Sequence, residues 1–190
     1  MDKHYLENEK FEGIDFTAKV FEQGHYENCS FTTCNFSGIN LSGIIFENCS
    51  FNDCNLGMAL LGKTAFRDCR FTGCKLLGLH FEHCNEIGLE FHFDHCTLDL
   101  SSFYKLKIKQ TVLKHCIMHE VDLTETDLTA AIFDHCDLAG AVFDRSILEK
   151  ADLRTSYNYT INPEINKIKK AKFSKEGLAG LLSKYDIVIE

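Results

Sequence analysis

The chain has 190 residues, 45% of them hydrophobic, with ten cysteines, one proline and no tryptophan. That is enough for one domain with a real core and too apolar for disorder, and no apolar run approaches the roughly 18 residues of a membrane span. A formal net charge of −8 argues against direct binding to nucleic acid or an anionic membrane, and Met1-Asp2-Lys3-His4-Tyr5 lacks a signal peptide's apolar stretch, so a cytoplasmic protein is expected.

Residues 1–10 are polar and only weakly patterned. From Phe11 a five-residue repeat takes over, clearest in Cys29-Ser30-Phe31-Thr32-Thr33 and Cys34-Asn35-Phe36. The large apolar residue can be called i, so that the cysteines stand at i−2. A helix repeats its apolar face every 3.6 residues and a plain strand every 2, so a period of five fits neither. It fits a three-residue strand, with i−2 and i pointing inward, followed by a two-residue corner at i+1 and i+2. Four such units close a square. Gly13, Gly38, Gly43, Gly73, Gly78, Gly88 and Gly140 all stand at i+2, as do Asn28, Asn48, Asp53 and Asp68. A tight corner needs positive φ there, which glycine takes freely and Asn or Asp tolerates.

The i positions run from Phe11 to Phe91, where Glu86 alone is out of character, and resume after a two-residue slip from Leu98 to Leu153. A carboxylate in an apolar core is costly. The backbone is therefore expected to deviate near Glu86–His95 and turn Glu86 outward, with Phe93 outside the frame. Cys34, Cys54 and Cys74 are 20 residues apart, as are Cys96, Cys116 and Cys136, which predicts six cysteines stacked on one face. All ten cysteines fall at i−2, which reads as small buried hydrophobes in a reducing compartment, not as disulfides. About seven coils at ~4.8 Å each give a rod roughly 35 Å long.

After Leu153 the frame fades, which sets the expected boundary: a β-helix over residues 1–156, irregular near 85–95, then a tail over 157–190. Asn162-Pro163 reads as a turn, and Ser174 can cap a short helix from Lys175 to Lys184. Leu178, Leu181 and Leu182 give that helix an apolar face, and Ile187, Val188 and Ile189 add a closing strand. An open coil end exposes unpaired strand edges, so the tail is expected to cap it and to bring two copies together there.

The repeat A/C-(D/N)-(L/F)-x-x, as in Ala151-Asp152-Leu153-Arg154-Thr155 and Cys136-Asp137-Leu138-Ala139-Gly140, resembles the pentapeptide-repeat proteins over about residues 11–153. The resemblance implies an all-β fold, a right-handed quadrilateral β-helix of about seven coils, here with a short C-terminal capping helix. The Phe-rich N-terminal half and the helical tail look like the Qnr branch. That likeness implies an acidic homodimer joined near its C-termini, which mimics duplex DNA, binds DNA gyrase or topoisomerase IV and protects them from quinolones. Many Qnr proteins carry long loops; here the slip near Glu86–His95 is the one interruption.

Residues 118–153 carry nine carboxylates against Arg145 and Lys150, a line charge comparable to that of a duplex. Within them Glu120, Asp122, Glu125, Asp127, Asp144 and Glu149 fall on two adjacent faces and their corners, the candidate partner-binding surface. A charged coat that keeps a β-rod soluble, or a scaffold for another partner, accounts for the same residues. Lys105, Lys107 and Lys109, and Lys167, Lys169, Lys170 and Lys172, form two basic groups that read best as solvated charge. His80-Phe81-Glu82-His83-Cys84 and His92-Phe93-Asp94-His95-Cys96 look like metal-site fragments, but the frame points Cys84 and Cys96 inward and the histidines onto corners, so no metal is expected. His95, His115 and His135 are placed to stack along one edge. No phosphate loop or activated nucleophile is present in the sequence, so neither catalysis nor a cofactor is expected.

Overall fold

The structure, a computed structural model, describes residues 4–188. Its strands are three or four residues long and all pair in parallel. One sheet holds β1 (His4–Glu7), β3 (Gly24–Glu27), β5 (Ile45–Glu47) and β7 (Ala65–Arg67) in that order. The other runs β2 (Lys10–Glu12), β4 (Ser30–Thr32), β6 (Ser50–Asn52), β8 (Cys69–Thr72), β9 (Phe91–Asp94), β10 (Val112–Lys114) and β11 (Ile132–Asp134), one strand from each of seven coils. Phe31 lies opposite Phe51, and Phe51 opposite Phe71, at an offset of 20 residues. The other two faces are held by isolated rungs such as Asn55↔Lys75 and Ser102↔Asp122.

The corners explain why the period is five. In a single coil Asn48, Asp53, Met58 and Lys63 all have φ between 52° and 60°, which makes four left-handed corners per turn. Glycine is preferred there, but Leu100, Gln110 and Arg145 hold the same conformation at φ 54–60°. The coil closure therefore overrides a local preference of about 1–2 kcal/mol per residue.

The core is a stack of rings. Phe11, Phe31, Phe51 and Phe71 follow one another at 4.8, 4.9 and 4.8 Å between centroids, nearly parallel at each step. The i−2 residues do more than fill space. Where the i−2 residue is Cys, Ser or Thr, it commonly donates to the core-facing carbonyl of the i residue 23 positions earlier. Cys54 Sγ reaches the Phe31 carbonyl at 3.4 Å and Cys74 Sγ the Phe51 carbonyl at 3.3 Å. The Oγ atoms of Thr64, Thr126 and Ser146 make the same bond, at 2.8 Å, to Leu41, Phe103 and Leu123. Cys, Ser and Thr share this position because each is small and carries a donor that a buried carbonyl needs. All ten cysteines are buried and unpaired with one another.

Two expectations about the frame are corrected. Glu86 does turn outward, followed by an exposed Ile87, but the slip is complete before Phe91. In the β8–β9 pairing Phe91 lies opposite Cys69 and Phe93 opposite Phe71. Phe93 is thus an i residue, buried and stacked on Phe71 at 5.4 Å, and Phe91 is an oversized i−2 residue. The space that the outward Glu86 leaves is taken by the Phe91 ring, which meets Phe66 at 5.8 Å and Phe81 at 5.1 Å. The backbone rejoins the ladder through the Glu90 N–H, which donates to the Phe66 carbonyl at 3.0 Å.

The coil begins at β1, where Leu6 lies opposite Tyr26, and extends beyond its expected C-terminal end at 156. Tyr157, Lys167 and Lys172 form rungs with Asp137, Ile147 and Asp152, and Ile161 is fully buried. The i−2 position there is held by Asn166, whose Nδ2 donates to the Phe143 carbonyl at 2.9 Å, so the geometry persists where the Cys/Ala signature is lost. Part of the segment 157–190 therefore belongs to the solenoid.

Candidate functional site

The acidic surface is built by the coil register. Asp122 stands in a rung between Ser102 and Val142, and Asp127 in the adjacent face between Lys107 and Ile147. Glu120 and Glu125 occupy corners with φ 55°, and Asp144 and Glu149 lie at the following corners one coil on. All six are at least partly exposed, on two neighbouring faces and the edges between them.

The carboxylates are not all free. Asp127 accepts from the Thr129 N–H and Oγ and pairs with Lys109 at 3.2 Å. Glu125 is held between Lys105 at 3.6 Å and Arg145 at 3.3 Å, and Arg145 also reaches Asp144 at 3.0 Å. Asp122 accepts the Thr124 N–H at 2.9 Å, which fixes its corner. Glu120, Asp122 and Glu149 form no ion pair among the described residues. The sequence shows a basic group at 105–109 and an acidic one after it; the 20-residue register sets them against each other. The same offset pairs Asp152 with Lys172 at 3.4 Å. With Arg154 at 2.8 Å, this holds the Asp152 carboxyl at about 2, below the ordinary aspartate value. These partners were readable from the 20-residue period, once each charge was compared with its neighbour one coil on.

The C-terminal end is capped as expected, by a helical track of single turns: Glu176–Leu178, α1 (Ala179–Leu182) and Ser183–Tyr185. Ser174 Oγ accepts the Gly177 N–H at 3.0 Å, the capping bond that its position implied. The track lies on the last coil because two glycines allow it. A Cβ on Gly180 would sit 2.1 Å from the Tyr159 carbonyl, and one on Gly177 would strike the Tyr159 ring. The Ile161 N–H donates to Gly180 at 3.0 Å. Of the apolar residues assigned to this end, Leu181 packs against the core, whereas Leu178, Leu182 and Ile187 are exposed beside Tyr185 and Val188. Residues 186–188 form no strand, so the closing strand does not appear among the described residues, and Ile189 lies outside them.

The histidine edge forms as well. His95 and His115 stack at 4.5 Å and His115 and His135 at 5.3 Å. Burial raises the thiols of Cys29, Cys34, Cys49, Cys69 and Cys84, with Cys49 pushed up to about 12. Among the described residues, no helix is long and apolar enough to cross a membrane.

A family model described as pentapeptide repeats matches residues 29–64 and 122–156, with eight copies. The matched segments carry pentapeptide repeats. Its fold matches that of QnrB1, a plasmid-mediated fluoroquinolone resistance protein, with a TM-score of 0.60 at 19% identity, covering 97% of this chain and all of that one. HetL, a pentapeptide-repeat protein involved in heterocyst differentiation regulation from the cyanobacterium Nostoc, aligns with a TM-score of 0.38 at 15% identity over 92% of this chain and 89% of its own. No curated protein sequence matches. The chain thus shares the fold of QnrB1, and among the described residues the slip at 84–90 is the one insertion between strands of the seven-stranded sheet.

Proposed function

We propose that the chain is a non-catalytic binding rod whose acidic C-terminal coils dock on the DNA-binding surface of a type II topoisomerase, DNA gyrase or topoisomerase IV. The observation that carries this reading is the placement of Glu120, Asp122 and Glu149, free of ion pairs and at least partly exposed along two adjacent faces of the rod. Such a line of negative charge on a convex surface offers a basic saddle what a duplex offers it. The likeness to QnrB1, named for fluoroquinolone resistance, supports the choice of partner and extends the reading to quinolone protection. The exposed Leu178, Leu182, Tyr185, Ile187 and Val188 at the capped end supply the apolar surface for a twofold dimer, which would bring two acidic ends together. A supercoiling assay with purified gyrase, with and without a quinolone, tests the reading. Added protein is expected to inhibit supercoiling at high concentration and to restore it in the presence of drug; no effect on either would overturn it.

A second reading has an observation of its own. Lys109, Lys105 and Arg145 neutralise Asp127, Glu125 and Asp144 and break the acid into patches. That pattern suits a scaffold whose mixed charge blocks edge pairing and serves a different protein partner.

A further inference from the structure

We propose that Asp94, His95 and His115 form a binding site for a divalent first-row transition metal, with zinc as the cation that the donor set suits best. One ligand atom from each lies within 4.8 Å of the other two. Asp94 Oδ1 is 2.7 Å from His95 Nδ1 and 3.6 Å from His115 Nδ1. Bonds of ~2.0–2.2 Å to nitrogen and carboxylate oxygen put neighbouring ligands of a tetrahedral ion roughly 3.3 Å apart. Coordination of one ion by all three requires the imidazoles to rotate out of their stack so that the nitrogen lone pairs converge beside the carboxylate.

The coil preorganises this arrangement. His95 and His115 occupy the same corner of successive coils, in the same left-handed conformation with φ 52° and 49°. Their rings stack 21° from parallel at 4.5 Å, so both must turn about the Cβ–Cγ bond to direct a lone pair at a shared ion. Asp94 ends β9 and its backbone pairs with Lys114, so the carboxylate is carried by a rung of the sheet and the imidazoles by the corners that follow it. Two imidazoles and one carboxylate suit zinc, leaving one position for water. In the metal-free protein each Nδ1 faces the Asp94 carboxylate. A neutral ring protonated at Nδ1 binds by moving that proton through water to its own Nε2, which frees the Nδ1 lone pair for the metal with no net proton lost.

The neighbouring charges are mixed. Lys114 lies between Asp94 and Asp134 in the sheet, and its ammonium opposes a cation. Asp134 is engaged by His135 at 2.8 Å and by Thr155 at 3.0 Å. A second cluster, Asp68, Glu90 and His92, is less suited because Arg70 already holds Asp68 at 3.2 Å. It serves as an internal control.

The test is calorimetric titration of the metal-free full chain with zinc chloride near pH 7.5, alongside thermal melts with and without zinc. The variants His95→Asn, His115→Asn, Lys114→Ala and His92→Asn are compared, Asn being chosen at the corners because it tolerates positive φ. The expected result is one zinc per chain with a dissociation constant on the order of micromolar. Binding should weaken tenfold or more in His95→Asn and His115→Asn, as at least ~10-fold is lost when even a supporting group is removed. It should tighten in Lys114→Ala and stay unchanged in His92→Asn. Zinc at a hundredfold excess over its dissociation constant should raise the melting temperature by roughly 5 °C in the parent and not in the two corner variants. Circular dichroism establishes that each variant is folded. Absence of saturable binding, equal binding by folded His115→Asn, or loss of binding in His92→Asn would each overturn the assignment.

Discussion

Phe51→Ala is the sharpest perturbation of the ring stack. Phe51 is fully buried, with Phe31 at 4.9 Å below it and Phe71 at 4.8 Å above, both nearly parallel to it. Phe46 adds an edge-on contact at 5.3 Å. Truncating a buried Phe costs about 3–5 kcal/mol, and the cost is greatest where the surroundings cannot collapse into the space. Here they cannot, because the backbone above and below is tied into a parallel ladder at fixed spacing. The two lost stacks, worth about 0.5–1.5 kcal/mol each, place the expected loss near the upper end of that range. Because each coil contacts only its neighbours, the loss falls on two coil interfaces at once. Phe11→Ala is the comparison: that ring is only partly buried and has one parallel neighbour, Phe31 at 4.8 Å. It should cost less than half as much. Urea melts followed by circular dichroism give both values. Equal losses, or a loss for Phe51→Ala below about 1 kcal/mol, would refute the stacked-core reasoning.

Phe93→Ala should now cost nearly as much as Phe51→Ala, since it stacks on Phe71; a surface-like cost in the same melts would restore the frame in which Phe93 lies outside. All ten cysteines should resist alkylation in the native state and react in denaturant, because burial raises thiols such as Cys49, Cys69 and Cys84; mass spectrometry reads this, and rapid native labelling would contradict it. Gly180→Ala should lift the helical track off the last coil, since its Cβ meets the Tyr159 backbone, and limited proteolysis should then cut the tail while the rod survives. Asp152 has a folded value of about 2, held down by Arg154, so the stability it contributes is present above pH ~4 and is lost as pH falls toward 2. Asp152→Asn should flatten the acid limb of a stability–pH curve in that window, and an unchanged limb would remove Asp152 from the account.

The regular parts of this fold were legible because one position in five must be large and inward, one small and inward, and one left-handed. Those demands leave marks such as Phe51, Cys54 and Gly73. The marks weaken where another residue does the same work. Asn166 supplies the i−2 donor without looking like Cys or Ala, so the coil was expected to end too early. Phe91 looks like an i residue because it is aromatic, yet it fills space vacated by Glu86, and so the sequence frame puts the slip one repeat late. The acidic surface was legible as composition, and the coil register carries Glu120, Asp122 and Glu149 onto adjacent faces. Its neutralisation by Lys105, Lys109 and Arg145 depends on contacts 18–20 residues apart, which local charge counting does not see.

The most direct test of the proposed function is binding to immobilised gyrase by two charge-reversed variants at about 50 and 200 mM salt. Glu120→Lys with Glu149→Lys reverses unpaired acid on the candidate surface. Glu9→Lys with Glu12→Lys makes the same change in charge at exposed positions of the far end. The account predicts that the first pair abolishes binding. The second pair should bind like the parent, with affinity falling tenfold or more between the two salt concentrations, as for a partner that reads phosphate-like charge. Equal binding by both pairs, or binding that ignores salt, would contradict it.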